Sequence, residues 1–156
     1  MQASPAVADV RYHGAVRHLA VSFFVCVLLA GCARIAPRRQ FGPLGGVSQI
    51  DVWIHQRDGS SDIFTIRNPK EIATVVAFVD QQSGDWRAPW YGIPVPTIEA
   101  WFYDGKVFKG HFGVGRNYFE CQRDGVFVSK RASDAGIHEF LNVIGVDDDT
   151  FKKVTP

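Results

Sequence analysis

Three stretches of this chain alternate apolar and polar side chains with a period of two, and few folds accommodate that pattern. Ile50, Val52 and Ile54 interleave with Asp51, Trp53 and His55. Ile98, Ala100 and Phe102 interleave with Glu99, Trp101 and Tyr103, and Phe108, Gly110, Phe112 and Val114 with Val107, Lys109, His111 and Gly113. Period two places alternate side chains on opposite faces of a strand, so each stretch offers one apolar face to a core. Further strands are expected at Asp62 to Ile66, Asn117 to Gln122 and Val126 to Lys130. Turns are expected at Arg57-Asp58-Gly59, Asp104-Gly105 and Asp124-Gly125. Asp-Gly between apolar runs tolerates the positive φ of tight hairpins, so successive strands pair antiparallel.

Two helices are marked by their ends. Asn68-Pro69-Lys70-Glu71 sets an N-cap acceptor before a proline at the first helical position, and Ile72, Val75, Val76 and Val79 follow on one helical face. The second starts at Ser133 or Asp134, buries Ile137, Phe140, Leu141 and Ile144, and stops at Gly145. Each has one apolar stripe and each strand one apolar face, so both helices cover the same side of the sheet. The expectation is an α+β two-layer sandwich, a mainly antiparallel sheet with two helices on one face, in the order ββαββββα.

The chain has 156 residues, 46% of them hydrophobic and 21% charged, which suits one globular domain with a short appendage. Seventeen Lys and Arg against sixteen Asp and Glu leave a formal charge of +1. No long-range field gathers a polyanion, so nucleic acid is not an expected partner.

The appendage is at the N-terminus. Leu19 to Leu29 is an uncharged apolar run, preceded by Arg11, Arg17 and His18 and followed by Ala30, Gly31 and Cys32. It is shorter than the roughly 20 apolar residues a spanning helix needs and has the make-up of an export signal. Leu29-Ala30-Gly31-Cys32 resembles the lipobox of bacterial lipoproteins. The resemblance implies cleavage before Cys32, acylation of that cysteine and residence in the cell envelope. Ala33, rather than Asp, at the following position implies the outer membrane, facing the periplasm, in a two-membrane bacterium. The expected organisation is a signal peptide over residues 1–31, a lipidated Cys32 and flexible linker over 32–48, and one domain over 49–156. Cys26 leaves with the signal and Cys32 becomes a thioether, so Cys121 stands alone with no partner for an internal disulfide. Its place in an alternating strand predicts burial.

The face of the sheet away from the helices is the candidate for function. The alternation assigns to it Trp53, His55, Glu99, Trp101, Tyr103, Lys109, His111, Tyr118 and Glu120. Large aromatics among charged and imidazole groups supply contact area at low rotamer cost plus directional polar contacts. The loop Gly84 to Pro96 holds three prolines and carries Trp86, Trp90 and Tyr91, which either pack over the core or rim this surface. The candidate binding surface is therefore Trp53, His55, Trp101, Tyr103, His111 and Tyr118, with Trp86, Trp90 and Tyr91 beside it.

Other chemistries find less support. Gly110 to Gly115 is glycine-rich but lies between strands, whereas phosphate loops open a helix, so no nucleotide or other cofactor is expected. No His or Cys pair has the spacing of a metal site. Asp147, Asp148 and Asp149 are expected in a solvated tail. The reading is a non-enzymatic, membrane-anchored binding module for an envelope protein, peptide or glycan. The alternatives are a small envelope hydrolase or other acid-base enzyme using His111 with Glu99 or Glu120, and a subunit that self-associates through the aromatic face.

Overall fold

The computed structural model describes residues 43–89, 92 and 95–155. The signal, Cys32, most of the linker, and Trp90 and Tyr91 lie outside the described residues.

The sheet contains β1 (Gln49–His55), β2 (Ser61–Ile66), β3 (Ile98–Asp104), β4 (Val107–Val114), β5 (Tyr118–Arg123) and β6 (Val126–Arg131). Their spatial order is β2-β1-β3-β4-β5-β6, every neighbour antiparallel. The helices are α1 (Pro69–Gln81), α2 (Asp134–Ile144) and a short α3 (Asp148–Val154). The domain is the expected α+β sandwich with one helix more than the sequence pattern marks. Asp147, read as part of a solvated tail, accepts from the Thr150 amide at 2.7 Å and caps α3. His138 of α2 meets Asp148 at 2.7 Å and ties the two last helices together.

The helix ends follow local chemistry. The Asn68 carboxamide accepts from the Lys70 amide at 2.9 Å, Pro69 opens α1, and Gly145 ends α2 in the left-handed region at φ 77°. On α1 the buried stripe is Ile72, Val75, Phe78 and Val79. Phe78 is the knot of the core, with Phe112, Phe119 and Phe140 at centroid separations of 6.0, 6.1 and 5.6 Å. Burying side chains of this size stabilises the fold by about 1.5–3 kcal/mol each. Ile50, Val52, Ile98, Ala100, Phe102, Phe112, Val114 and Val128 supply the sheet's side of that core.

Two features position the opposite face. First, β3 pairs with β4 through a bulge: Phe102 opposes Gly110 and Tyr103 opposes Phe108, leaving Lys109 as the extra residue. The slip moves Phe108 to the helix-free face and Lys109 off it, which corrects the strict alternation. Gly110 makes it possible, at φ 142° with the Gln122 carbonyl where a Cβ would stand. Second, the chain is already packed before Gln49. Leu44 is buried, its amide donates to the Asp80 carboxylate at 3.1 Å, and the Arg123 guanidinium reaches the same carboxylate at 3.0 Å.

Candidate functional site

On the helix-free face the register lines side chains up in rows across the strands. One row runs Ile63, Trp53, Glu99, Gly113, Glu120 and Ser129; the next runs Thr65, Asp51, Trp101, His111, Gln122 and Phe127; Tyr103 and Phe108 follow. The two glutamates flank Gly113, which places their backbones two strand spacings apart, about 10 Å.

The aromatics of these rows touch in sequence. Trp53 and Trp101 lie 5.8 Å apart, Trp101 stacks on His111 at 5.6 Å with 20° between planes, and His111 meets Phe127 at 5.7 Å. Phe108 joins the band at 5.3 Å from Trp101 and 5.8 Å from Tyr103. A continuous strip of rings thus crosses from β1 to β6. Phe108 is 40% exposed and Trp53, Trp101, Tyr103 and Phe127 are half-buried, so its outer edge meets solvent.

Beneath the strip the imidazoles and carboxylates sort into two pairs. His111 Nε2 is 2.8 Å from Glu120 Oε1, with both residues buried. With Glu120 as a carboxylate the proton of this bond is on Nε2, and a neutral His111 then keeps its lone pair on Nδ1. His55 Nε2 lies 3.5 Å from Glu99 Oε1, an ion-pair distance without hydrogen-bond geometry, while its Nδ1 meets Ser61 Oγ at 2.9 Å. The other Glu99 oxygen takes the Trp101 indole N–H. Of the two glutamates the alternation offered to His111, the register brings Glu120 within hydrogen-bond reach; Glu99 is held by Trp101 and stands against His55. His111 Nδ1, Glu120 Oε2 and Trp53 Nε1 are buried without a hydrogen-bond partner among the described residues. Burial and, secondarily, the Asp51 charge raise the Tyr103 phenol above its ordinary range.

The described ends of the Gly84–Pro96 loop approach from two sides. Arg87 and Ser129 exchange backbone hydrogen bonds at 3.0 and 2.9 Å and so extend the β6 edge. Pro96 lies on Gly113, and the Tyr118 hydroxyl donates to the Val95 carbonyl at 2.6 Å. Tyr118 thus holds the loop to the face. Trp86 is not on that face. It is 3% exposed in the core, edge-on to Phe112 at 6.1 Å, with its N–H donating to the Gln82 carbonyl at 2.8 Å. An indole buried in a loop still needs a partner for its N–H, and the frayed end of α1 supplies one.

Sequence reasoning missed Phe108 and Phe127. Phe108 is hidden from a period-two count by the bulge, and Phe127 carries a signal only once β6 is registered against β5. Cys121 faces the core as expected, and burial pushes its thiol up to about 11 against the partial relief of Arg123. Such a thiol is protonated and a poor nucleophile at neutral pH. Among the described residues no cluster of His, Cys, Asp and Glu is arranged to hold a metal, and no helix is long and apolar enough to cross a membrane. No family model, no curated protein and no solved structure matches the chain.

Proposed function

We propose that the protein is an envelope lipoprotein, anchored through an acylated Cys32, whose helix-free sheet face is a binding surface for an envelope protein, peptide or glycan. The anchor rests on Leu29-Ala30-Gly31-Cys32 behind an apolar run. The binding role rests on one observation, the unbroken strip from Trp53 through Trp101 and His111 to Phe127. Rings held against one another by a sheet lose little freedom on contact, and the N–H and carboxylate groups among them give direction to it. Tryptophan fluorescence titrated with peptidoglycan fragments, together with capture from envelope extracts by wild type and Trp101→Ala, tests this. Binding that disappears in Trp101→Ala, in a protein with unchanged circular dichroism, supports the surface. Absence of any ligand-dependent change, with no difference in capture, removes it.

The 2.8 Å contact of His111 with Glu120 favours acid-base chemistry as the second reading, because a carboxylate that holds one imidazole nitrogen leaves the other to take a proton. Both groups are buried and His111 lies between Trp101 and Phe127, so a substrate reaches its imidazole only if those rings move. Hydrolysis of a panel of chromogenic esters and glycosides that is lost in both His111→Gln and Glu120→Gln would establish it in place of the binding role.

A further inference from the structure

The turn between β3 and β4 is unlike the other hairpin turns. Hairpin tips are ordinarily polar because their side chains stand in water. This one, Asp104-Gly105-Lys106-Val107-Phe108-Lys109, leaves Val107 63% and Phe108 40% exposed, with an exposed lysine on either side. By register Phe108, opposite Tyr103, and Val107, opposite Asp104, project to opposite faces of the hairpin end, and the bulge at Lys109 and Gly110 fixes Phe108 on the helix-free one. Ile63 and Phe64, the other adjacent exposed pair, lie in the middle of edge strand β2 rather than at a hairpin end.

The tether leads to the same place. The Ser48 amide donates to the Tyr103 carbonyl at 2.8 Å and the Gly105 amide to Ser48 Oγ at 2.8 Å, while Gly46 stands against the Asp104 carboxylate. Residues 46–48 are therefore fastened beside the hairpin, while Leu44 is held at the C-terminal end of α1 by Asp80. Ten residues lie between Cys32 and Pro43, eleven Cα steps in all. By chain geometry alone, that stretch cannot reach beyond about 40 Å. The opposite end of the sheet, at the β1–β2 turn, lies a further strand length away, about 25 Å.

We propose that the β3–β4 hairpin is the part of the domain that touches the lipid bilayer, with Val107 and Phe108 entering the boundary between headgroups and acyl chains and Lys106 and Lys109 against anionic headgroups. The inference rests on the lipid-anchor reading of Cys32. Asp104 opposes the attraction, but Lys106 and Lys109 outnumber it at the tip, and Arg34, Arg38 and Arg39 add positive charge along the tether. Two apolar side chains give weak, reversible contact by themselves; a covalent anchor makes that contact effectively intramolecular. The domain would then stand on the hairpin with Phe108 as the member of the aromatic band nearest the membrane and the strip crossing the sheet beyond it.

The test uses the processed protein in phosphatidylethanolamine–phosphatidylglycerol vesicles, with an environment-sensitive dye on Val107→Cys and, in a second preparation, on Ser60→Cys at the far end of the sheet. Both positions are exposed; Ser60→Cys gives up the exposed hydrogen bond from its hydroxyl to Asp58 within the turn, and circular dichroism checks that both labelled proteins are folded. A blue-shifted label at 107 that nitroxide lipids quench, beside a label at 60 that stays in water, supports the contact. Equal solvent exposure at both positions in protein that floats with the vesicles overturns it and leaves the anchor standing. A shift at 107 that follows protein concentration without lipid quenching also overturns it, by assigning the tip to a second copy. Intact mass showing an unmodified Cys32 overturns the anchor reading and this inference with it.

Discussion

His111 and Glu120 sit two positions out of register on neighbouring strands, and that offset brings Nε2 to 2.8 Å from Oε1 on the sheet face that carries no helix. Both are buried there, and His111 packs against the rings of Trp101 and Phe127.

Removing either partner has an unequal effect. His111→Ala takes away a ring packed between Trp101 and Phe127 and leaves a buried carboxylate with no hydrogen bond, which should lower stability by about 3 kcal/mol. Glu120→Gln keeps an acceptor for Nε2 and should lose only about 1 kcal/mol. Urea unfolding of wild type and both variants checks the order; midpoints for both variants equal to wild type would mean the contact contributes nothing.

Cys121 makes stability depend on alkaline pH. Its folded value of about 11 lies above the ordinary 9.0, so below about pH 9 both states hold the proton and the contribution is fully present. Above that the unfolded thiol ionises first, and up to about 2–3 kcal/mol is lost as pH rises through 11. The difference in unfolding free energy between wild type and Cys121→Ala should narrow over that window. A constant difference from pH 8 upward, or rapid alkylation of the folded protein at neutral pH, would contradict the burial of the thiol.

Gly113 is where the loop meets the face. A Cβ there would stand 2.6 Å from Pro96 Cγ and 2.7 Å from its Cβ, and a proline ring cannot swing aside. Gly113→Ala should lower stability by about 1–3 kcal/mol, the usual effect of overpacking. Adding Pro96→Gly should restore part of it, as a double-mutant cycle by thermal unfolding would read. Simple additivity would show that the two residues do not press on each other.

Asp80 joins three parts of the chain, accepting from the Leu44 amide and from Arg123. Asp80→Ala should cost about 1–3 kcal/mol and free the segment at Leu44. Limited proteolysis should then cut near Gly45 and Gly46 well before the rest of the domain. An unchanged cleavage pattern would show that burial of Leu44 alone holds the segment.

Local chemistry determined most of the architecture. Period-two alternation, Asp-Gly turns, the Asn68-Pro69 start and the Gly145 stop each act within a few residues, so strands, helices and the antiparallel sandwich were legible from the amino acids alone. The short α3 was not, because seven residues of mixed polarity carry no stripe, and only the capping by Asp147 marks its start. Tertiary structure decided what depends on register and on distant neighbours. A one-residue slip at Gly110 exchanged Lys109 for Phe108 on the open face. A free edge on β6 and room beside Phe112 drew Trp86 into the core. The diagonal offset between β4 and β5 gave His111 to Glu120 instead of Glu99. None of these is encoded in a local pattern, because each depends on which backbone lies alongside, and strand pairing is settled only when the whole sheet closes over its core.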